Sequence, residues 1–524
     1  MSLELDQELE RKIIDVLYNV KAIGITPKQI ADRLNAEPNE VRKIIEELKK
    51  KGEVTRIGRN LWILSKFKDF NNIPDFIMPE YYSQEFKKIY GSIFHAYHLG
   101  KDIMAGENYN ERIHRWFFCV QGFSAAFVND MINRFKVGDG DVVLDPFVGS
   151  GTVLISAKFR NINSVGVELL PIFAFASKVK TSWDIDTKLL KEETDNLMKN
   201  ILATNRNTNE DKKPFLKETE RHFKEDVLKT LLRIKEEISG ITDRKIERIF
   251  LLALASILVP CSNLKRSPCL GYAKKSNELN EIKVRELFME KIRQIIDDLE
   301  FVQRNKCGDK AFAEVIYGDS RKVRYKEDSI KLAITSPPYV NGLDYVINYK
   351  IEMAWLELVG SYEDLYRIKS EMVACDNIPR KVTIKLRGKE PKYTDEWLER
   401  IVNEIEKNIK RKVNYRRDDM HLIVRKYFED LYPIFENVYD ALMKNGRFVI
   451  VIGDSLIAGV YIPTDLILAK MGIRVGFSIE SIEIARERRS GQRHDFKLRE
   501  SIVILKKGEV KHARGKSLLD YLAL

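Results

Sequence analysis

Short apolar runs alternate with stretches of helical period in two parts of this 524-residue chain. The apolar runs that read as buried strands are Val142–Leu144, Ser164–Val167, Ala313–Tyr317 and Ile330–Ile334. A helical stretch from Val153 to Phe159 lies between the first two of them. Strands that alternate with helices are typical of a mostly parallel sheet with helices packed on its faces. The pattern therefore predicts an α/β fold.

The same pattern resumes near the carboxyl end of the chain. A helix is predicted over Tyr427–Lys444, with Asn445 and Gly446 as its C-cap, and a strand follows at Arg447–Ile452. Two further strands, Arg474–Ile479 and Ser501–Leu505, are predicted to close the sheet. Residues 185–310 are mostly helical in pattern and highly charged. Because the next strand appears only after them, we interpret them as an insertion.

The pentapeptide Thr335-Ser336-Pro337-Pro338-Tyr339 follows the predicted strand Ile330–Ile334. Two consecutive prolines end strand pairing and stiffen the backbone, because neither has an N–H and each fixes φ. The expected result is a rigid loop that carries a small polar side chain, exposed carbonyl groups and an aromatic ring. Such a loop can hold a planar ring by stacking and can accept hydrogen bonds from an amino group on its edge.

A glycine-rich turn, Asp145-Pro146-Phe147-Val148-Gly149-Ser150-Gly151-Thr152, follows the predicted strand Val142–Leu144 and leads into a helix. In this arrangement backbone N–H groups and a helix N-terminus can approach a nucleotide-like ligand. The turn lacks the Lys-Ser/Thr ending of a P-loop, which argues against a nucleoside triphosphate. Glu168 ends the next strand, at the spacing where an acidic residue binds ribose hydroxyls.

Together these motifs resemble the amino-group DNA methyltransferases that use S-adenosylmethionine. The similarity covers roughly residues 110–184, 311–360 and 430–507. It implies a Rossmann-like seven-stranded methyltransferase sheet and S-adenosylmethionine as cofactor, with no metal. Within the family, Ser336 is most similar to the N4-cytosine branch, since the N6-adenine branch usually carries Asp or Asn there. Residues 145–152 resemble the family's cofactor loop, and residues 335–339 resemble its catalytic loop. The cofactor loop therefore precedes the catalytic loop in this chain, whereas many N4-cytosine enzymes have the two regions permuted.

The resemblance also implies a role for individual residues. Ser336 Oγ and the Pro337 carbonyl would accept hydrogen bonds from the target amine, Pro338 would stiffen the loop, and Tyr339 would stack on an extruded base. Asp319 would accept from the adenine amine of the cofactor, and Gln121-Gly122-Phe123-Ser124 occupies the place of the methionine-binding segment. The expected cofactor contacts are Asp145, Pro146, Phe147, Gly149, Ser150, Gly151, Thr152, Glu168, Asp319, Ser320, Phe123 and Ser124.

The first 66 residues predict a separable unit of three helices and two strands. The helices are expected at Leu5–Asn19, from Thr26-Pro27 to Leu34, and at Pro38–Lys50, and the strands at Val54–Ile57 and Leu61–Leu64. This order is similar to a winged helix-turn-helix with the third helix as recognition element. Winged helices also bind proteins, but Arg42, Lys43 and Arg59 are suited to contact DNA.

Two further segments are dense in basic residues. Residues 371–419 are predicted to be a basic insertion that recognises the target sequence, with Arg387 among its candidate DNA contacts. Residues 486–493 are predicted to form a loop between the last two strands, where guanidinium groups suit phosphate. Its candidate DNA contacts are Arg488, Arg489 and Arg493. The domain division expected is a winged helix-turn-helix (1–66), a linker (67–107), a methyltransferase core (108–184, 311–370 and 420–508), a helical insertion (185–310), the basic insertion (371–419) and a C-terminal tail (509–524).

Composition is consistent with these expectations. The formal net charge of +11 and the pI of about 9.0 favour a polyanionic partner, which we expect to be double-stranded DNA. The 5 cysteines show neither metal-type spacing nor the density of a disulfide scaffold, so an intracellular, cytoplasmic protein is expected. No apolar run approaches the length of a membrane span, and no membrane partner is expected.

Other functions stay open at this point. Pro260-Cys261 and Glu436-Asn437-Val438 echo short motifs of cytosine-C5 methyltransferases, but neither lies in a catalytic-loop context, and Cys261 is expected to be a buried apolar residue. The enzyme alternatives are an N6-adenine DNA methyltransferase and a tRNA guanine-N2 methyltransferase. A winged-helix DNA-binding regulator is the alternative without catalysis. A cognate restriction endonuclease is a possible partner of a site-specific enzyme.

Overall fold

The computed structural model describes residues 2–20, 24–58, 60–67, 79–119, 121–203, 213–267, 269–273, 279–411, 416–490 and 496–508. No helix in these ranges is both long enough and apolar enough to cross a bilayer. The predicted C-terminal tail, residues 68–78 of the predicted linker and two candidate DNA contacts, Arg59 and Arg493, lie outside the described residues. The interpretation of residues 79–107 as a linker was wrong, because they contain a helix and an edge strand of the main sheet.

The N-terminal unit contains three helices followed by a two-stranded antiparallel sheet. Its elements are α1 (Ser2–Val20), α2 (Pro27–Leu34), α3 (Pro38–Lys50), β1 (Val54–Gly58) and β2 (Leu61–Leu64). The Thr26 hydroxyl accepts the backbone N–H of Gln29, and the Gln29 side chain accepts the N–H of Thr26, which forms a capping box at the start of α2. The predicted helices and strands are present, and the winged-helix assignment remains a prediction.

The first half of the main sheet follows a helix and an edge strand. The elements are α4 (Pro79–Tyr90), β3 (Phe94–His95), α5 (Ala125–Arg134), β4 (Val142–Asp145), α6 (Thr152–Phe159), β5 (Asn163–Glu168) and α7 (Pro171–Thr181). The strands predicted at Val142–Leu144 and Ser164–Val167 are therefore confirmed and are slightly longer than expected. The glycine-rich turn joins β4 to α6, and Gly151 at its end adopts a φ of 91°, a conformation that favours glycine.

Residues 185–310 are largely helical and share one hydrophobic core with α7 and with buried residues of segments 113–119 and 346–368. The elements in this part are α8 (Thr187–Ala203), α9 (Thr219–His222), α10 (Glu225–Ile238), α11 (Arg244–Leu258), β6 (Leu264–Arg266), β7 (Leu270–Tyr272) and α12 (Glu281–Arg304).

Asp298 on α12 ties this helical part to residues 112–116. Its buried carboxylate accepts hydrogen bonds from the Arg115 side chain (2.7 Å), from the Ile113 backbone N–H (2.9 Å) and from Trp116 Nε1 (3.0 Å). A fourth donor is Arg112 Nη1, at 2.9 Å. Ile113 has a φ of 65°, which is costly for a β-branched residue, and the bond to its N–H stabilises that conformation.

The second half of the sheet and the helices around it complete the structure. The elements are β8 (Ala313–Tyr317), β9 (Ile330–Thr335), α13 (Tyr345–Asn348), α14 (Lys350–Trp355), α15 (Tyr362–Glu371), α16 (Arg380–Ile384), α17 (Glu396–Arg411), α18 (Met420–Ala441), β10 (Leu442–Gly453), β11 (Ser455–Ile457), β12 (Val460–Ile462), α19 (Thr464–Val475), β13 (Phe477–Arg489) and β14 (Lys497–Lys507).

The central sheet has the strand order β3-β13-β14-β10-β9-β4-β5-β8. Strands β10, β9, β4, β5 and β8 are mutually parallel, and β14 runs antiparallel to both of its neighbours. Eight strands are present where seven were expected, because the short β3 pairs with β13 at the edge. The chain passes from β4 to β5 on one side and continues at β9 on the other, which leaves a crevice at the carboxyl ends of β4 and β9.

Several predicted boundaries were wrong. Helix α18 ends at Ala441, and Asn445 and Gly446 belong to β10, where the pairing with β9 shifts register between Leu442 and Arg447. The strand predicted at Arg474–Ile479 is the end of α19 and the start of β13. Strand β13 then runs on to Arg489, because its charged residues pair with complementary charges on β14, as Arg486 does with Glu500. Arg486–Arg489 therefore do not form a loop.

Candidate active site

A cavity of about 580 Å³ opens at the carboxyl ends of β4, β5, β8 and β9, which is the size of a typical small-molecule site. The glycine-rich turn and the Thr335–Tyr339 loop both line it, although they are far apart in sequence. The predicted site residues on its wall are Asp145, Pro146, Phe147, Gly149, Ser150, Thr152, Glu168, Asp319, Ser320, Phe123, Ser336, Pro337, Pro338 and Tyr339.

Two predicted cofactor contacts have a different position. Gly151 is the N-cap of α6, and its φ of 91° serves the turn. Ser124 is the N-cap of α5, where its hydroxyl accepts the backbone N–H of Phe127 at 3.1 Å. Neither residue is on the cavity wall. The Ser124 oxygen satisfies a free N–H at the start of the helix, and its assignment as a cofactor contact remains a prediction.

Glu168 holds the glycine-rich turn from the end of β5. One carboxylate oxygen accepts the N–H of Gly149 at 2.8 Å, and the other accepts the N–H of Leu170 at 2.7 Å. Burial raises the pKa of Glu168 to about 7, although these two hydrogen bonds favour the charged form. The carboxylate therefore shapes the turn and also faces the cavity.

Helix α7 supplies two anchors for the same turn that sequence reasoning missed. Ser177 Oγ donates to the Gly149 carbonyl at 2.7 Å, and the buried Lys180 Nζ donates to the Ser150 carbonyl, also at 2.7 Å. Lys180 also reaches the Phe117 carbonyl at 3.2 Å. Burial lowers the pKa of Lys180 to about 7. The one available signal was that Ser177 and Lys180 lie one turn apart in a helix whose first six residues are apolar.

Asn108 connects the Phe123 segment with the glycine-rich turn, and the sequence offered no sign of it. Its buried side chain donates to the Phe123 carbonyl at 3.0 Å and accepts the N–H of Ala125 at 2.8 Å. The same amide nitrogen lies 3.4 Å from Thr152 Oγ1. Asn108 therefore connects Phe123, on the cavity wall, with the start of α6.

Asp319 follows β8 and faces the cavity beside Ser320, as expected. Both of its carboxylate oxygens accept hydrogen bonds from the Arg321 guanidinium, at 2.9 Å each. Arg321 also donates to Asp430 on α18 at 2.7 Å and to the Glu371 carbonyl. Ser320 Oγ donates to the Pro146 carbonyl. Arg321 was not predicted as a site residue. Its bond to the Glu371 carbonyl joins Asp319 to residues 371–373, which also line the cavity.

The Thr335–Tyr339 loop is anchored at both ends. Thr335 Oγ1 donates to Asp145 Oδ1 at 2.7 Å, and burial raises the pKa of Asp145 to about 7. Tyr339 Oη donates to Glu500 at 2.9 Å, and the Tyr339 carbonyl accepts the N–H of Gly342 at 2.8 Å. Between these anchors, the half-buried Ser336 side chain has no hydrogen-bond partner among the residues that the structure describes. Its hydroxyl is available to a ligand in the cavity.

Residues 39–178 match the family model described as DNA methylase, which covers the N6 and N4 amino-methyltransferases. This segment contains the glycine-rich turn and Glu168. This match and the curated relatives described next support an amino-group DNA methyltransferase family for the chain.

Curated relatives extend the similarity over most of the chain. The Type II methyltransferase M.BsoBI of Geobacillus stearothermophilus is 25% identical over 448 residues, which are 76% of this chain and 86% of the relative. The Type II methyltransferase M.AvaI of Nostoc sp. is 24% identical over 391 residues, 70% of this chain and 80% of the relative. The Type II methyltransferase M.MvaI of Kocuria varians is 21% identical over 343 residues, 62% and 73% of the two chains.

The methyl donor of this DNA methylase is S-adenosylmethionine. The cavity suits that molecule because it combines apolar walls with the carboxyl groups of Asp145, Glu168 and Asp319. Carboxylates can accept hydrogen bonds from ribose hydroxyls, from an adenine amine and from an ammonium group.

The candidate DNA contacts of the methylase are in different environments. Arg42 and Lys43 lie on the exposed face of α3, whose opposite face is buried, and Arg387 is exposed after α16. Arg488 is half-buried, donates to the Asp454 carbonyl at 2.9 Å and lies 6.0 Å from the Tyr339 ring centre. Arg489 is exposed at the end of β13.

Ion pairs reduce the excess charge of the basic segment 371–419. Arg417 pairs with Asp419 at 2.6 Å, and Lys410 pairs with Glu406 at 2.8 Å. Arg416 contacts Asp376, and Arg380 lies 3.3 Å from Asp418. Acidic residues of the same segment therefore neutralise part of its positive charge. The number of Lys and Arg residues in the segment is larger than the net positive charge that it presents to DNA.

The residues that echo C5 chemistry have structural roles. Cys261 is buried in the helical core beside α11, away from the cavity wall, and burial raises the pKa of its thiol to about 12. Such a thiol is a poor nucleophile at neutral pH. Asn437 lies within α18 and donates to the carbonyls of Ser320 (3.1 Å) and Val323 (2.9 Å).

Proposed function

We propose that this methylase transfers a methyl group from S-adenosylmethionine to the exocyclic N4 amine of cytosine in a specific sequence of double-stranded DNA. The observation that carries the proposal is the position of Ser336. Its unpartnered hydroxyl faces the same cavity as the glycine-rich turn, in a loop that is hydrogen-bonded to that turn through Thr335 and Asp145. An acceptor at this point suits an amine, which has N–H groups to donate.

The chemistry of an exocyclic amine explains the need for such acceptors. The nitrogen lone pair is delocalised into the ring, so the amine is a poor nucleophile until the nitrogen becomes more tetrahedral. Ser336 Oγ and the Pro337 carbonyl accept the two N–H groups and localise that lone pair. Tyr339 stacks on the base, which must leave the duplex to enter the cavity.

The remaining residues hold the cofactor. Glu168 binds the ribose hydroxyls, Asp319 accepts from the adenine amine, and the glycine-rich turn approaches the cofactor closely because Gly149 has no side chain. When bound, S-adenosylmethionine supplies an electrophilic methyl group for direct transfer. Positioning of the amine by the Ser336 loop contributes most of what the protein adds to the rate.

A role in restriction and modification is proposed from the relatives. M.BsoBI and M.AvaI are Type II methyltransferases, and the similarity covers 86% and 80% of their lengths. By analogy, this methylase protects a short recognition sequence against a cognate restriction endonuclease. Arg42 and Lys43 on α3, Arg387, Arg488 and Arg489 are the described residues proposed to contact DNA, and Arg59 and Arg493 remain candidates from the sequence.

Methylation of adenine N6 is the second candidate, because the family covers both amines. To distinguish them, the purified protein is incubated with labelled S-adenosylmethionine and either unmodified DNA or tRNA, and the methylated nucleoside is identified by mass spectrometry. We expect N4-methylcytosine in DNA alone. N6-methyladenine in DNA, or a methylated guanosine in tRNA, would overturn the cytosine proposal.

The same assay tests the role of Ser336. Loss of one hydrogen-bond acceptor to a reacting group costs roughly 10- to 100-fold in turnover, so Ser336→Ala should show a decrease of that size with unchanged cofactor binding. Ser329→Ala is the matched control, because Ser329 precedes the same strand at its opposite end and its hydroxyl donates to the Lys326 carbonyl, outside the cavity wall. Wild-type turnover in Ser336→Ala would refute the assignment.

A further inference from the structure

A carboxylate outside both motifs contacts the catalytic loop. Glu500 lies on β14, is 7% exposed and forms part of the cavity wall. One of its oxygens accepts the hydroxyl of Tyr339 at 2.9 Å, and the other accepts Arg486 Nε. Arg486 is the cross-strand partner of Glu500 on β13. The carboxylate is therefore itself fixed, because a guanidinium on the neighbouring strand holds it.

The other contacts of Tyr339 leave its orientation dependent on this bond. One edge of the ring packs against Gly453 at the end of β10, and Arg488 lies 6.0 Å from the ring centre. These contacts restrict the ring sterically, but neither holds its hydroxyl end. Among the described residues, Glu500 is the hydrogen-bond partner of that hydroxyl. Burial and the nearby carboxylate raise the pKa of Tyr339 well above its ordinary value, so the hydroxyl remains a donor.

We propose that Glu500 is a positioning residue, which holds the hydroxyl end of Tyr339 and so fixes the direction of its side chain for an extruded base to stack on the ring. The proposal rests on the proposed function, since it assigns Tyr339 to the target base. A side chain whose hydroxyl end can swing away must be ordered when the base arrives, whereas one held by Glu500 and Arg486 is already ordered. Preorganisation of this kind raises the rate of transfer without any contact between Glu500 and the reacting atoms.

Two substitutions remove the same hydrogen bond from its two ends. Tyr339→Phe keeps the ring and removes the hydroxyl, and Glu500→Ala removes the acceptor. We expect each to lower kcat/KM for DNA by roughly tenfold, which corresponds to one hydrogen bond to a charged group. The double variant should be no slower than the slower single variant, because the second change removes nothing more.

Two further variants separate positioning from a general effect on folding. Glu500→Gln retains an amide oxygen that can accept from Tyr339, so it should recover part of the activity lost in Glu500→Ala. Glu483→Ala is the matched control, because Glu483 is a buried carboxylate on the adjacent β13 that pairs with Arg134 at 2.7 Å and does not line the cavity. It should keep wild-type kcat/KM, and all variants should keep the wild-type dissociation constant for S-adenosylmethionine.

The outcomes distinguish this inference from the proposed function. If the wild type methylates DNA but the losses in Tyr339→Phe and Glu500→Ala multiply in the double variant, the two residues act independently and the inference is wrong. It is also wrong if Glu483→Ala loses as much activity as Glu500→Ala. If the wild type transfers no methyl group to DNA, the proposed function fails, and the assignment of Glu500 fails with it.

Discussion

Thr335 Oγ1 donates a 2.7 Å hydrogen bond to Asp145 Oδ1, and through it the Thr335–Tyr339 loop is joined directly to the glycine-rich turn. The two residues end adjacent parallel strands, β9 and β4, and both are buried. Asp145 Oδ1 also accepts the N–H of Phe147 at 2.9 Å, so one oxygen sets the geometry of both loops. A change at either residue should therefore affect both halves of the site.

Replacing Thr335 by Val keeps the shape of the side chain and removes its hydroxyl. The buried Asp145 carboxyl group then loses one of its two donors, which should lower the free energy of unfolding by about 1–3 kcal/mol. Thr335→Ser, which retains the hydroxyl, is the control. Urea denaturation followed by circular dichroism measures the difference, and equal stability of the Val and Ser variants would show that the bond contributes nothing.

Cofactor binding should depend on pH through Glu168. Burial raises its pKa to about 7, and the ionised form is the better acceptor for ribose hydroxyls. The affinity for S-adenosylmethionine should therefore fall as the pH decreases from 8 to 6, by up to roughly tenfold per pH unit below the pKa. Titration calorimetry measures it. Glu168→Gln should bind more weakly and show a flatter profile; an unchanged profile would assign the effect to another group.

The raised pKa of Glu168 also affects the stability of the fold, but in the opposite direction: stability decreases as the pH rises, whereas cofactor affinity increases. The pKa of Glu168 is higher in the folded protein than the ordinary value of 4.5, so the unfolded chain releases this proton first as the pH rises. The folded state then binds more protons between about pH 4.5 and 7, and the contribution of Glu168 to the free energy of unfolding falls across that range. Thermal unfolding of the wild type and of Glu168→Gln over this range should show the difference.

Lys180→Met should loosen the cofactor loop with little effect on global stability. The variant loses the bonds to the Ser150 and Phe117 carbonyls, but it also removes a buried amine that has an unfavourable environment for its charge. We expect cofactor affinity to fall roughly 3- to 10-fold, with a change in unfolding free energy within about 1 kcal/mol. Lys178→Met, on the exposed side of the same helix, should bind the cofactor like the wild type.

Gly453→Ala should displace the Tyr339 ring. A Cβ at this position would lie 2.6 Å from Tyr339 Cε2, closer than any real contact, and the ring cannot retreat without losing Glu500. Overpacking of this kind costs about 1–3 kcal/mol, and methyl transfer should fall in parallel. Gly138→Ala is the control, since a Cβ there would meet nothing within 4 Å. A fully active Gly453→Ala would show that the ring position is not critical.

The parts of the site that were predicted from the sequence depend on local order. Strand, glycine turn and helix are consecutive at Val142–Phe159, and the two prolines after β9 define a loop in any context. Parallel strands bring both loops to one edge of a sheet, so their meeting could be expected. The residues that hold them could not, because Asn108, Lys180 and Glu500 act across 15 to 161 positions of sequence separation.

The wrong boundaries have a related cause. Arg486–Arg489 has the composition of a solvated loop, but complementary charges on β14 allow the strand to continue through it. Similarly, Asn445 and Gly446 have the residue types of a helix C-cap, yet the pairing of β10 with β9 already begins at Leu442. In both places tertiary pairing overrides the local preference, and the pairing partner lies too far along the chain to be recognised from the pattern.

Asp298 bears on how far this enzyme could be reduced in size. The helical part between β5 and β8 looks like an insertion that could be deleted. However, the Asp298 carboxylate on α12 accepts hydrogen bonds from four residues of segment 112–116, which lies outside that part. A trimmed enzyme without α12 would leave the buried Trp116 Nε1 and Ile113 N–H without an acceptor. A minimal version must therefore retain α12 or redesign those donors, and chimaeras between relatives should exchange residues 112–116 and α12 together.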